Sequence, residues 1–247
     1  MADQNALANK FAAAVAKVIR DEEERHLLKH LEATTFDAEQ FQAFFISLRA
    51  ESDRALAIVS FSYVDVKLRD LMLQAFNPRT PVSLERLFEP LGPLATASAR
   101  IKLAGALTWL SPPVFQILEL HRKIRNEFAH HPFLSGFAEP RIACLVNEML
   151  HYETHFVHLL EEKAVDPASL GTRFLFHLRT MMTCYQMVAE LIVAPLALRF
   201  GMEPLRFLDS TSGKQPTVLR DLATASGMVL ADLIESQVKG TSSGDGA

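Results

Sequence analysis

The chain has 247 residues, 49% of them hydrophobic and 22% charged, and a net charge of −4. These values suit a globular protein with a substantial core. They speak against a generic electrostatic nucleic-acid binder, which needs a basic domain, while leaving room for a local basic patch. Residues Gln4 to Leu31 are helical in composition, and Asp21 to Glu24 followed by Arg25 and Lys29 offer pairs four apart on a solvated face. Thr34 to Asp37 breaks the pattern, with Asp37 placed to cap the next helix. That helix is predicted from about Asp37 to Phe76, with an interruption near Arg49 to Asp53. In its later part Ala55, Ile58, Val59, Ser62 and Val66 follow helical spacing. Asp65 and Arg69 read as an i,i+4 pair.

After Asn77 to Pro81, a short helix is predicted over Ser83 to Phe88, then a tight loop at Glu89 to Pro93. A helix follows from Thr96 to Leu110. Ser111 stands as the cap of its successor, with Pro112 and Pro113 in the first turn, where a missing N–H costs little. That helix carries Ile117, Leu120, Ile124 and Phe128 on one face and ends at Pro132. Pro140 opens a helix to about Lys163, and Asp166-Pro167 breaks it. Leu170 to Phe200 reads as a long apolar helix with Pro195 late in its course. After a turn at Gly201 to Pro204, Pro216 starts an amphipathic helix to about Lys239.

The expected fold is all-α, a multi-helix bundle. It divides into an N-terminal helix (1–36), a helical domain (37–163), a C-terminal helical extension (164–239) and a disordered tail (240–247). The most apolar segment, Met181 to Phe200, contains Gln186, Glu190 and Pro195, so it reads as a buried helix and not a membrane span. No secretory signal is evident, and the expectation is a cytoplasmic protein. Cys144 and Cys184 read as small buried hydrophobes in a reducing compartment.

The stretch Arg125-Asn126-Glu127-Phe128-Ala129-His130 carries the chemistry. Arginine offers a fork of donors for phosphate or carboxylate, and histidine exchanges a proton near neutral pH. On a regular helix, residues five apart point about 140° apart. Arg125 and His130 therefore converge only if the helix unwinds before His130, or if two copies meet across a two-fold axis as a homodimer. His121, Arg122, Lys123 and His131 add positive potential, which Glu119 and Glu127 reduce. A structural role for Arg125 and His130, as a salt bridge or dimer contact, weighs about as much as catalysis. Glu51 and Asp53 are either acidic partners for Arg125 or a charge cluster at a helix N-terminus.

The Arg-Asn-x-x-x-His pattern resembles the HEPN superfamily of helical domains, many of them dimeric metal-independent ribonucleases. That resemblance implies that Arg125 holds a scissile phosphate, His130 moves a proton and Asn126 orients one of them. A longer resemblance is to the mannitol operon repressor family. It is carried by Glu51-Ser52-Asp53-Arg54, Leu68-Arg69-Asp70-Leu71, the run from Gly92 to Ala104, and Ile124-Arg125-Asn126. It spans roughly Glu51 to Pro132 and adds Arg54 to the candidate binding residues. It implies a regulator that works through an unknown protein partner, since no helix-turn-helix reader is seen. RNA remains a possible ligand of the motif, and sequence-specific DNA an improbable one.

His151, His155 and His158 fall at i, i+4 and i+7, a spacing that can hold a divalent metal beside Glu148 or Glu162. No other ligand cluster supports it, so neither a metal nor a cofactor is expected. Met181, Met182 and Met187 beside Phe174 and Phe176 read as core filler. No phosphate-cradling glycine loop and no nucleophile-elbow serine are present.

Overall fold

The computed structural model describes residues 36–76, 83–163, 165–197 and 217–242. The predicted first helix, the break at Asn77 to Pro81, the end of the long helix at 198–200, the turn at 201–204, the start at Pro216 and residues 243–247 lie outside the described residues. Among the described residues the chain is an all-α bundle of nine helices without a strand. They are α1 (Ala38–Ser47), α2 (Asp53–Ala75), α3 (Leu84–Phe88), α4 (Ala97–Ala106), α5 (Pro112–His130), α6 (Pro140–Asn147), α7 (Val157–Glu162), α8 (Thr172–Ala197) and α9 (Thr217–Ser242).

Short polar side chains start several of these helices. Asp37 accepts from the Gln40 amide at 2.8 Å, Ser52 from Ala55 at 3.2 Å and Thr96 from Ala99 at 3.2 Å. Each satisfies an amide that has no partner inside its helix. The predicted interruption is real: a 3-10 turn at Leu48–Ala50 and an extended Glu51 separate α1 from α2. The helix predicted to reach Leu110 stops at Ala106, because Thr108 turns to φ 55° and the Trp109 amide folds back to the Ala104 carbonyl at 2.9 Å. The last helix continues past Lys239 to Ser242, so residues 240–242, assigned to the tail, are helical.

Helix α2 is the hub. It buries Leu56, Ala57, Phe61, Val64, Leu68, Leu71 and Met72 against α5 and α8. The stripe marked by Val59, Ser62 and Val66 is the opposite, exposed face. Both stripes obey helical spacing, and the bulkier one is buried because it removes more apolar area from water. Helix α9 lies along α1 and α8, and Asp232 ties it to Arg49 of the 3-10 turn after α1 at 2.9 Å.

Two buried arginines staple the bundle. Arg100 of α4 grips Asp65 of α2 with Nε at 3.0 Å and Nη2 at 2.6 Å, and donates to the Leu94 carbonyl at 2.7 Å. Asp65 thus pairs across helices, and the expected Asp65–Arg69 pair is not formed. Arg69 approaches Asp70 at 3.8 Å and lies over the Phe88 ring. The long, planar guanidinium of Arg100 reaches both carboxylate oxygens, which an i,i+4 partner on an exposed face does not match. The turn before it needs Gly92, since a Cβ there would strike the Arg86 and Leu87 carbonyls. Arg179 of α8 is 1% exposed. It bonds both carboxylate oxygens of Glu153, the Val146 carbonyl at 2.6 Å and His151 Nδ1 at 3.0 Å. Burial alone would raise the Glu153 carboxyl, but the Arg179 bonds outweigh it and hold it below the usual range.

The helix predicted from Pro140 to Lys163 is broken. It ends at Asn147, a 3-10 turn covers Tyr152–His155, and α7 begins at Val157. Arg179 causes the break by drawing the Val146 carbonyl and the Glu153 carboxylate together. His151, His155 and His158 therefore do not share one helix face. No cluster of three or more metal-ligating side chains occurs among the described residues. Cys184 is buried as expected, but Cys144 is exposed. Met181 and Met187 fill the core, and Met182 is half-buried. No helix among the described residues is long and apolar enough to cross a membrane.

Candidate functional site

Helix α5 presents the Arg125–His130 motif, and it is clamped at both ends by charges that suit its dipole. At the start, Glu190 of α8 is fully buried and accepts from the Ser111 amide at 2.8 Å and the Ser111 hydroxyl at 2.6 Å. Ser111 holds the cap position as expected, but its hydroxyl serves Glu190 and not the first turn of α5. Burial raises the Glu190 carboxyl above its ordinary range, against the lowering effect of these bonds and one from Gln186. At the far end, Arg54 of α2 donates to the carbonyls of Phe128, His131 and Pro132, the latter two at 2.9 Å. An acidic group at a helix N-terminus and a cation at its C-terminus both interact favourably with the macrodipole.

Arg54 is therefore a cap and not a free binding group. Its neighbour Asp53 pairs with Arg173 of α8 and accepts from the Phe137 amide at 2.9 Å. Gly136 is required beside it, because a Cβ would collide with Asp53 Oδ2. Arg173 also donates to the Glu51 carbonyl at 2.6 Å, while the Glu51 side chain is exposed. Neither acid partners Arg125. Of the two readings open for Asp53, the structure selects the helix-start role, joined to an arginine 120 residues away.

The motif itself is continuous helix. Helix α5 runs through His130, and the His131 amide still bonds the Glu127 carbonyl at 3.1 Å. The route in which the helix unwinds before His130 is closed, because Arg54 holds the last carbonyls in register. Arg125 is half-buried and donates to Asn126 Oδ1 at 3.1 Å. Among the described residues no carboxylate lies within salt-bridge reach of Arg125. His130 is exposed at the tip.

The basic surround is smaller than expected. His121 is fully buried, edge-on to Phe61 and Phe176, with Nε2 at 3.3 Å from Ser60 Oγ and 3.2 Å from Thr180 Oγ1. Burial lowers its pKa to about 3, so it adds no positive potential near neutral pH. Its position was readable, because Ile117, His121, Ile124 and Phe128 are spaced four, three and four apart, the core stripe itself. Arg122 is taken by Glu119 at 2.8 Å. Lys123 is exposed, and His131 lies 3.5 Å from Glu127, which also pairs with Arg141 at 3.0 Å.

Beyond His130 lies a shallow depression of about 250 Å³ lined by His130, His131, Pro132, Phe133, Leu134, Glu139 and Arg141. The Phe133 side chain stands 97% exposed at its edge. Sequence reasoning missed Phe133, Glu139, Arg141 and Arg173. The only signal was Pro132 followed by an aromatic where a helix must end.

Replacing Arg54 by Ala removes three hydrogen bonds from a charged donor. The expected cost is about 2 kcal/mol, the scale of such bonds when net effects are counted. Amide exchange at residues 128–131 should quicken more than in α4. Uniform exchange across both helices would show that Arg54 does not clamp the end of α5. Searches with the chain found no matching family model, no matching curated protein and no matching solved structure.

Proposed function

We propose that the protein is a regulatory helical module that acts as a homodimer through protein contacts made by α5, as the resemblance to the mannitol operon repressor family implies. The observation that carries this reading is the unbroken course of α5 through His130. It keeps Arg125 and His130 about 140° apart around the helix, so among the described residues of one chain the two do not aim at one phosphate. The buried, neutral His121 and the paired Arg122 leave little free positive charge for nucleic acid. The half-buried polar strip Glu119, Arg122 and Asn126 beside exposed Lys123 and His130 suits a protein partner. Such a regulator works in the cytoplasm without a cofactor and without reading DNA sequence itself.

A second reading has its own support. Arg125 is not engaged by a carboxylate and His130 is exposed, so both remain available to a second copy. Across a two-fold axis they would compose a metal-independent endoribonuclease of the HEPN type, with Arg125 stabilising charge and His130 transferring the proton.

Light scattering and incubation with structured and single-stranded RNA in excess EDTA separate the two. The expected result is a dimer that leaves RNA intact, with Arg125→Ala and His130→Ala weakening self-association or partner capture and not the fold. Cleavage by the wild type, lost in each variant by orders of magnitude, would replace the regulatory reading by the nuclease. A monomer even at 100 µM, about a hundred times above a micromolar dissociation constant, would remove both.

A further inference from the structure

The depression beyond His130 carries a knob and a hole side by side. Phe133 projects into solvent, 97% exposed, on a segment fixed by Arg54 at the Pro132 carbonyl and by Asp53 at the Phe137 amide. A large aromatic held on a rigid support is a poor surface residue for a lone chain and a common anchor of interfaces. The adjoining depression, at about 250 Å³, has room for an aromatic side chain. Pro132 and Leu134 supply its apolar lining.

The charges of the patch are arranged by wall. One wall is the end of α5, with the imidazoles of His130 and His131. The other is the start of α6, with Glu139 and Arg141; Glu127 of α5 pairs with Arg141 at 3.0 Å and lies 3.5 Å from His131, which leaves Glu139 as the carboxylate that faces outward for a partner. Glu139 is held in place by the Ser135 hydroxyl at 2.8 Å, and that bond keeps its carboxyl below the usual range. A two-fold rotation about the depression exchanges the walls. It sets Glu139 of one copy over the histidines of the other, and each Phe133 over the other's hollow. Shape and hydrogen-bonding groups, a carboxylate acceptor over imidazole N–H donors, are thus complementary to the same patch, which is the requirement of an isologous contact.

We infer that the patch formed by Phe133, His131 and Glu139 is the self-association surface of this chain, with a second copy as its occupant. This rests on the homodimer reading above and deepens it by naming the contact. It places the two α5 tips together, so that any site composed from two copies forms at this end of the bundle.

Sedimentation equilibrium of the full chain tests it. The wild type should dimerise at micromolar concentration. Phe133→Glu should weaken the dimer by at least tenfold, and Phe133→Leu, which keeps an apolar knob, should weaken it less. His131→Glu alone should be largely monomeric, because it sets carboxylate over carboxylate across both halves of the contact, and Glu139→Arg alone should dimerise more weakly than the wild type, because it removes the acceptor that faces the imidazoles. A mixture of those two variants should form a heterodimer, in which one half joins the introduced carboxylate to the introduced guanidinium and the other keeps the native pairing of Glu139 with His131. Circular dichroism should be unchanged throughout, since these side chains lie at the surface. A Phe133→Glu protein that dimerises like the wild type, or a mixture that stays monomeric, would overturn this surface while leaving a homodimer through another face. A wild type that is monomeric at 100 µM, about a hundred times above a micromolar dissociation constant, would overturn the surface and the homodimer together.

Discussion

Arg179→Ala should be the most destabilising single substitution near the motif-bearing core. It leaves the Glu153 carboxylate, itself 8% exposed, without its partner, and opens a cavity where a fully buried guanidinium stood. Removing one member of a buried pair typically costs about 3–5 kcal/mol. For a chain of this size that corresponds to a fall in Tm on the order of 10 °C. The paired replacement Arg179→Met with Glu153→Met tests the cause. It removes both charges, fills most of the volume and should recover most of the lost stability. If the double variant is as unstable as the single one, the loss comes from the Val146 carbonyl and His151 contacts and not from an orphaned charge.

Acid should unfold the protein earlier than its carboxylates alone would require. His121 and His177 are buried, and burial is the main cause that lowers their pKa values to about 3 and about 4. His177 is pushed down further by Arg173 and Arg49. In the unfolded chain both titrate near 6.5, so below that pH the unfolded state binds more protons than the folded one. The stability these neutral rings allow is complete above pH 6.5 and is lost as pH falls toward 4. At pH 4.5 the two together should have cost about 5 kcal/mol, at about 1.4 kcal/mol per unit for each ring. Urea denaturation from pH 7 to pH 4.5 measures this slope. His121→Leu should roughly halve it, at the cost of stranding the Ser60 and Thr180 hydroxyls. A slope unchanged in that variant would show that His121 titrates normally.

The helices and their breaks were legible because their signals are local. Asp37, Thr96 and the Ser111-Pro112-Pro113 start announce helix beginnings within four residues of sequence, and Asp166-Pro167 announces an end. What the sequence concealed was pairing at a distance. Asp65 has Arg69 one turn away and Arg100 thirty-five residues away, and the distant partner wins because two elements bring it to a half-buried site. The same holds for Glu190 with Ser111 and for Arg179 with Glu153. The break within 140–163 is of this kind, since its cause lies on α8. At the motif, the 140° separation of Arg125 and His130 followed from helical geometry alone. That the helix would stay intact did not, because it depends on Arg54. The role of His121 could have been read from its place in the apolar stripe, where a ring with two nitrogens passes for a surface cation only if spacing is ignored.

Helix α8 has a consequence for the order in which the chain is made. Synthesis runs from the N-terminus, so α1, α2 and α5 emerge while the helix that covers their apolar faces is still inside the ribosome. Phe176 packs against Phe137 and edge-on to His121, and Thr180 reaches the His121 ring. Asp232, which ties α9 to Arg49, comes later still, 183 residues after its partner. Until those segments are released, Phe41, Phe45, Phe61 and Phe128 have no cover from α8 and α9. The nascent chain therefore carries a sticky half-bundle for much of its elongation, and closes in one late step when its last helices arrive. A gene truncated before Thr172 would yield a product headed for chaperones or proteases, and not a smaller working protein.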